Sequence, residues 1–285
     1  PRALKGLGLD YDSLKAIKDD IILVSNTCFG TDGPYGKKLG FDGLAQSLSG
    51  NMHVSGTGEE PMRSYSPWVD FGTASLCAFG AMAALWSRQA TGKGQEVQGS
   101  LLGTALTVSS SLLIEQKLLQ PNRVATGNRG QLSAPADVYK TKDGHIMVLV
   151  IGEGMFTRWA NLMGENSWLE DERFKNDDLR GEHADIISER MQRWCDTRTN
   201  DDALAELEQA RVPAGPVLSP QQTLDDPHVQ QGGFLHPTQY PGLPGEAPLV
   251  TTPVRLLGTP GEIRQRAPLL GEHTDEILLD LGYAQ

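Results

Sequence analysis

Leu76-Cys77-Ala78-Phe79-Gly80-Ala81-Met82-Ala83-Ala84-Leu85-Trp86 is apolar without a break, and Asp70-Phe71-Gly72-Thr73-Ala74-Ser75 leads into it. Apolar residues on every helical face predict a long helix buried on most sides. Thr91-Gly92-Lys93-Gly94 then reads as a sharp turn, Gln95 to Gln98 as a short strand, and Leu101 to Leu119 as a second long helix. Upstream, Asp12 to Lys18 predicts a short helix with Asp12 or Ser13 as its cap. Ile21-Ile22-Leu23-Val24 is a β-branched run that predicts a buried strand. Thr31-Asp32-Gly33-Pro34-Tyr35-Gly36 carries strong turn chemistry, and Phe41 to Ser49 predicts a helix stopped at Gly50. Helices alternating with strands in this way give an α/β fold with a Rossmann-like parallel sheet.

The character of the chain changes at Pro121. Asn122 to Pro135 is a glycine-containing loop without apolar periodicity. Strands follow at Ala136 to Tyr139 and His145 to Ile151, separated by the turn Lys142-Asp143-Gly144. Helices and loops fill Met155 to Ala210, which makes this part a smaller α+β domain. From Val212 to Gly261 prolines and glycines are dense, the composition of an ordered linker crossing a surface. A last helix is expected from Thr274 to Leu281, with Gly282 as its stop. The expected division is therefore residues 1–120, residues 121–220 with the glycine loop in front, and residues 221–285 as linker and return to the large domain.

The 285 residues carry a formal net charge of −11, which disfavours broad nucleic-acid binding while leaving room for a local basic pocket. Cys28, Cys77 and Cys195 form no CxxC pair, so neither a disulfide framework nor a zinc knuckle is expected, and a reducing cytoplasm is the simplest compartment. The six histidines have no metal-ligand spacing, so no metal site is expected. No run approaches the roughly 18 apolar residues of a membrane span, and no signal-peptide pattern opens the chain. Pro1-Arg2-Ala3-Leu4-Lys5-Gly6-Leu7-Gly8 reads as mid-protein text, and a further segment upstream is expected.

Gly92-Lys93-Gly94-Gln95 lacks the Ser or Thr that a phosphate-binding P-loop places after its lysine, and no G-x-S-x-G elbow occurs. Asp70 is the acid of interest. At the start of a helix it reads locally as an N-cap, because its oxygen can accept free backbone N–H groups. The same position suits a nucleophile, since those groups and the helix dipole stabilise a carboxylate anion, and Gly72 would let a substrate carbonyl approach the backbone. The loop with Gly127, Asn128, Gly130 and Gln131 reads equally as a mobile surface loop or as one that closes over a site.

Taken in order, these segments resemble the class III coenzyme A transferases, the family of formyl-CoA transferase and the carnitine CoA-transferases. The matching text is Phe29-Gly30-Thr31-Asp32-Gly33-Pro34-Tyr35, Gly40-Phe41-Asp42-Gly43-Leu44-Ala45-Gln46, Ser49-Gly50, Asp70, Ala83-Ala84-Leu85 and Thr91-Gly92-Lys93-Gly94-Gln95. It continues through Gly127-Asn128, Tyr139 with Thr141-Lys142-Asp143-Gly144, Val212-Pro213-Ala214-Gly215-Pro216-Val217 and Asp226-Pro227. Ala267-Pro268-Leu269-Leu270-Gly271-Glu272-His273-Thr274-Asp275-Glu276 is the most family-specific run. The resemblance implies an interlocked homodimer of two-domain chains and a further upstream stretch with the first sheet strands and many CoA contacts. It implies no permanently bound cofactor, with coenzyme A and a small carboxylic acid as substrates. Asp70 would attack the donor thioester to form an aspartyl–acyl anhydride, and the Gly127–Gln131 loop would shield that anhydride from water. CoA contacts of the family map to Phe41, where formyl-CoA transferase has Tyr, to Leu101, and close to Lys38.

The α-methylacyl-CoA racemases share this fold and use the aspartate matching Asp70 as one of two acid/base groups. Their partner histidine belongs to a Gly-His-Asp motif, and here Gly40-Phe41-Asp42 offers no proton-exchanging side chain between the glycine and the aspartate. Glu153 falls near a supporting racemase glutamate. A third expectation is a non-catalytic fragment that only binds CoA or a partner chain.

Overall fold

The computed structural model describes residues 2–283. The chain divides into two compact units, Pro1–Gly215 and Pro216–Gln285.

The first unit opens with helices α1 (Arg2–Gly6) and α2 (Tyr11–Ile17), the latter capped by Asp10, whose side chain accepts the Ser13 N–H. Strand β1 (Leu23–Thr27) follows, then the short helices α3 (Asp42–Leu48) and α4 (Asn51–Val54) and the 24-residue helix α5 (Trp68–Thr91). α5 ends at Gly92, left-handed at φ 70°, and the chain turns into β2 (Glu96–Ser100). β1 and β2 pair in parallel, Leu23 opposite Glu96 through Thr27 opposite Ser100, with α5 in the crossover. Gly94 makes that turn fit: a Cβ there would lie 1.9 Å from the Ile21 carbonyl oxygen. The parallel strands and crossover helix are the α/β arrangement expected from the alternation.

Three expectations change here. α5 is buried along one stripe only, Val69, Thr73, Cys77 and Ala84, because β1, β2, α3 and α6 (Leu101–Val108) meet it on one side. Its other face, with Phe79, Met82 and Trp86, is exposed, so its all-round apolarity does not translate into all-round burial. By length and composition α5 is also apolar enough to cross a membrane, contrary to the expectation that no such run exists. The predicted helix 101–119 is two helices, α6 and α7 (Ser110–Leu119). The break falls at Ser109, whose hydroxyl donates to the Ala105 carbonyl at 2.9 Å and accepts from the Asn51 side chain, a local bond that competes with helix continuation.

Beyond the glycine loop, β3 (Ala136–Lys140) and β4 (His145–Leu149) form an antiparallel pair, with β5 (Ala214–Pro216) on the far side of β4. Helices α8 (Glu153–Met163), α9 (Asp177–Glu182), α10 (Ala184–Cys195) and α11 (Asn200–Gln209), with short 3-10 turns at Asn166–Leu169 and Glu172–Phe174, cover this sheet. The main core lies between them. Tyr139, Ile146, Val148, Phe156, Trp159, Phe174, Ile187, Met191 and Leu207 are fully buried. Each contributes about 1.5–3 kcal/mol by leaving water. A second, smaller core of Cys28, Ala45, Val69, Leu101 and Ala105 joins β1, α3, α5 and α6.

The second unit holds helices α12 (Pro220–Asp225) and α13 (Pro227–Gln231), the antiparallel hairpin β6 (Leu235–Thr238) and β7 (Ala247–Val250), and α14 (Thr274–Asp280). The stretch expected as an ordered linker carries short elements of its own: Ser219 builds a capping box with Gln222, and Asp226 caps α13 through the His228 and Val229 N–H groups. Before α14, the Glu272 carboxylate accepts from both Arg266 terminal nitrogens and from the Leu269 N–H. The Arg266 hydrogen bonds, and then that N–H, hold its carboxyl down to about 2.

Candidate active site

Asp70 is not the N-cap of α5. Pro67 holds that position without a side-chain bond, and Asp70 is the third helical residue, with its side chain exposed. The cap is supplied from elsewhere in the chain. Asp42, the first residue of α3, accepts the Val69 N–H at 2.9 Å and the Asp70 N–H at 3.1 Å on Oδ2. Its Oδ1 accepts from Gln46 Nε2 at 2.5 Å, and Gln46 Oε1 accepts the Ser64 N–H at 3.1 Å. Asp42 and Gln46 are both buried and stand four residues apart, on one face of α3. One helical turn thereby holds residues 64–70 in place. Sequence reading passed over both side chains, although their i,i+4 spacing inside the Gly40-to-Gln46 motif was the available signal.

α5 is fixed from its other side by α6. Thr73 Oγ1 lies 2.7 Å from Thr104 Oγ1, and a Cβ on Gly72 would meet Thr104 Cγ2 at 3.2 Å. Gly72 therefore serves the approach of two helices, where the sequence suggested approach of a substrate carbonyl. Cys28 packs beneath, its thiol directed at the Phe41 carbonyl at 3.6 Å. Burial pushes that thiol up, and the negative charges of Asp70 and Asp42 add to the effect.

The other predicted residues are distributed around this centre. Phe41 precedes Asp42 and exposes 79% of its surface. Leu101 is packed into the small core beside Val69, so its side chain faces inward. Lys38 stacks its ammonium on the Tyr35 ring, 3.9 Å from the centroid. The glycine loop is tied down along its length. The Gly127 N–H donates to the Gly56 carbonyl at 2.6 Å, Gln131 Nε2 to the Val124 carbonyl at 2.7 Å, and the Gly130 N–H to the Ala136 carbonyl at 2.6 Å. Arg123 grips Glu115 with two bonds of 2.7 and 2.6 Å and holds that carboxyl below its usual range.

Gly127, with Asn51, Val54 and Val108, lines both of two neighbouring clefts. One of about 600 Å³ is lined by Asn51, Met62, Arg63, Trp68, Gly127 and Asn128. The other, about 590 Å³, has Glu115, Arg123, Gly127, Arg129 and Gln131 among its walls. Arg63 lies alongside Gly43 and has no ion-pair partner among the described residues. Asp70 lines neither cleft. Trp68, two residues before it, lines the first. Among the described residues no three Asp, Glu, His or Cys side chains are grouped to hold a metal ion.

The model of the family described as CoA-transferase family III matches residues 1–274. The chain belongs to CoA-transferase family III. Among its relatives, the succinyl-CoA–D-citramalate CoA-transferase of Chloroflexus aurantiacus is 31% identical over 283 residues, covering 99% of this chain and 70% of the relative. The succinate–glutarate CoA-transferase of Agrobacterium fabrum is 30% identical over 282 residues, 96% of this chain and 68% of that one. A solved CAIB/BAIF family protein from Brucella suis superposes with a TM-score of 0.81 at 29% identity, over 98% of this chain and 73% of that structure. In this family III chain, Glu153, the position compared with a racemase glutamate, is committed elsewhere: it pairs with the buried Arg180 at 2.5 Å.

Proposed function

We propose that this chain transfers coenzyme A between an acyl-CoA donor and a carboxylic acid, with Asp70 carrying the acyl group in between. The observation that carries the proposal is the free Asp70 carboxylate: it is exposed on the first turn of a rigidly held helix, while Asp42 satisfies the backbone donors around it. An Asp70 oxygen attacks the thioester carbonyl carbon, the C–S bond breaks, and CoA departs with the electron pair as its thiolate. The acceptor carboxylate then attacks the Asp70 carbonyl carbon of the anhydride and expels the donor acid. Returning thiolate attacks the acceptor's acyl carbon and releases Asp70 as a carboxylate. No atoms are gained or lost, and each bond made resembles the one broken in energy, so the exchange runs both ways.

The names of the two relatives pair succinyl-CoA with D-citramalate and succinate with glutarate, and the free acids in both names are dicarboxylic. We infer a dicarboxylate acceptor for this chain as well. Arg63, which lines the cleft beside Trp68 and has no ion-pair partner among the described residues, is our candidate for binding its distal carboxylate. A reducing cytoplasm is consistent with the free, buried Cys28, Cys77 and Cys195. A homodimer is consistent with the exposed apolar face of α5.

Succinyl-CoA supplied with a panel of free acids should give new thioesters for dicarboxylates, and Asp70→Ala should abolish their formation while leaving CoA binding. Thioester formation at full rate in Asp70→Ala, or CoA binding with no turnover in the wild type, would contradict the proposal. Phe41 in place of histidine also predicts no exchange of the α-proton of a 2-methylacyl-CoA with deuterated water, and such exchange would favour racemisation.

A further inference from the structure

A helix begins with four backbone N–H groups that have no partner inside it. An aspartate within the first turn can fold back onto them, which lowers the freedom and nucleophilicity of its carboxylate. In α5 that outcome is pre-empted. Pro67 has no N–H, the Trp68 N–H donates to the Ser66 carbonyl at 2.9 Å, and the Val69 and Asp70 N–H groups donate to Asp42. The next group, the Phe71 N–H, already donates to Pro67 within the helix at 3.3 Å. Every donor at this end is occupied, and among the described residues none donates to the Asp70 carboxylate.

We propose that Asp42 is a positioning residue for the reaction, resting on the reading of Asp70 as acyl carrier. Its buried carboxylate takes the place that Asp70's own side chain would otherwise fill, and so holds the nucleophile off its helix and open to a thioester. Gln46 is part of the device. By donating to Oδ1 it leaves Oδ2 for the helix, and by accepting from Ser64 it fixes the segment that leads into α5.

The test compares Asp42→Ala, Asp42→Asn and the double variant Asp42→Asn/Gln46→Glu in the full chain. Asp42→Ala frees two N–H groups that Asp70 can capture. Its kcat should fall by roughly 100-fold, as expected for a misplaced reacting group, while KM for the acyl-CoA stays within about 2-fold. Asp42→Asn keeps one acceptor oxygen for the helix but turns its amide donors toward Gln46 Nε2. Adding Gln46→Glu restores an acceptor there, and kcat should recover by at least about 10-fold over Asp42→Asn. Acyl groups trapped on Asp70 by hydroxylamine should fall in parallel with kcat. If Asp42→Ala lowers thermal stability while kcat and trapping on Asp70 stay at wild-type levels, Asp42 is only a structural cap and the proposal fails. If the double variant shows no recovery over Asp42→Asn, the hydrogen-bond exchange is refuted. Absence of any trapped group on Asp70 in the wild type would overturn the acyl-carrier reading itself, and this inference with it.

Discussion

Asp70 and Asp42 share between them two tasks that a single aspartate at a helix start cannot perform together: one caps and the other stays free. The capping bonds span 27 and 28 residues of sequence, which is why Asp70 could be singled out from its motif while Asp42 could not be assigned a role. Nothing in the local pattern around Asp42 reveals that its carboxylate reaches another helix. Arg63 was invisible for a similar reason, since the role proposed for it rests on the cleft it lines and on its having no ion-pair partner among the described residues. Arg63→Ala is expected to raise KM for a dicarboxylic acceptor by about 10- to 100-fold, the worth of a charge-assisted hydrogen bond, and to leave KM for the acyl-CoA unchanged. Steady-state kinetics with each substrate varied in turn checks this. Equal KM values for the acceptor in Arg63→Ala and the wild type would remove Arg63 from the acid subsite.

At the scale of elements, the turn at Gly92 to Gly94 and the parallel strands on either side of α5 were readable, because glycine chemistry and β-branched runs act locally. The break at Ser109 was not, since Asn51 that bonds it comes from a separate helix. Nor was the fixed state of the glycine loop, which depends on Gly56 and on the Arg123–Glu115 pair. That pair has a pH signature. The hydrogen bonds from Arg123 lower the Glu115 carboxyl in the folded chain, so the tether is fully present above the ordinary carboxylate range and is lost as pH falls through the lowered value. Amide exchange over residues 123–131, corrected for its intrinsic pH dependence, should therefore accelerate as pH falls below the ordinary carboxylate range. Arg123→Ala should show the faster exchange already at neutral pH. A profile for Arg123→Ala that matches the wild type would mean that the ion pair does not hold the loop.

For the molecule as a whole, the α+β part was the most legible, because β3, β4 and α8 to α11 bury their apolar faces against one another and follow ordinary periodicity. The apolar run of α5 misled, since half of its circumference faces no described neighbour. In the second unit the last helix was legible, but α12 and α13 were read as linker because their prolines, Pro220 and Pro227, look like loop residues although each opens a helix capped by Ser219 or Asp226. In the main core, burial pushes the Cys195 thiol up to about 12. Cys195 should resist alkylation in the native chain at pH 8 and react only on global unfolding, which peptide mapping after labelling in increasing denaturant will show. Early labelling of Cys195 would mean that this core opens independently. The central claim, that Asp70 carries the acyl group, is tested most directly by adding hydroxylamine to the wild-type chain during turnover of succinyl-CoA with a dicarboxylic acid and sequencing the modified peptide by mass spectrometry. A hydroxamate on Asp70, dependent on the thioester, is the predicted result. Modification of another residue, or none while turnover proceeds, would contradict it.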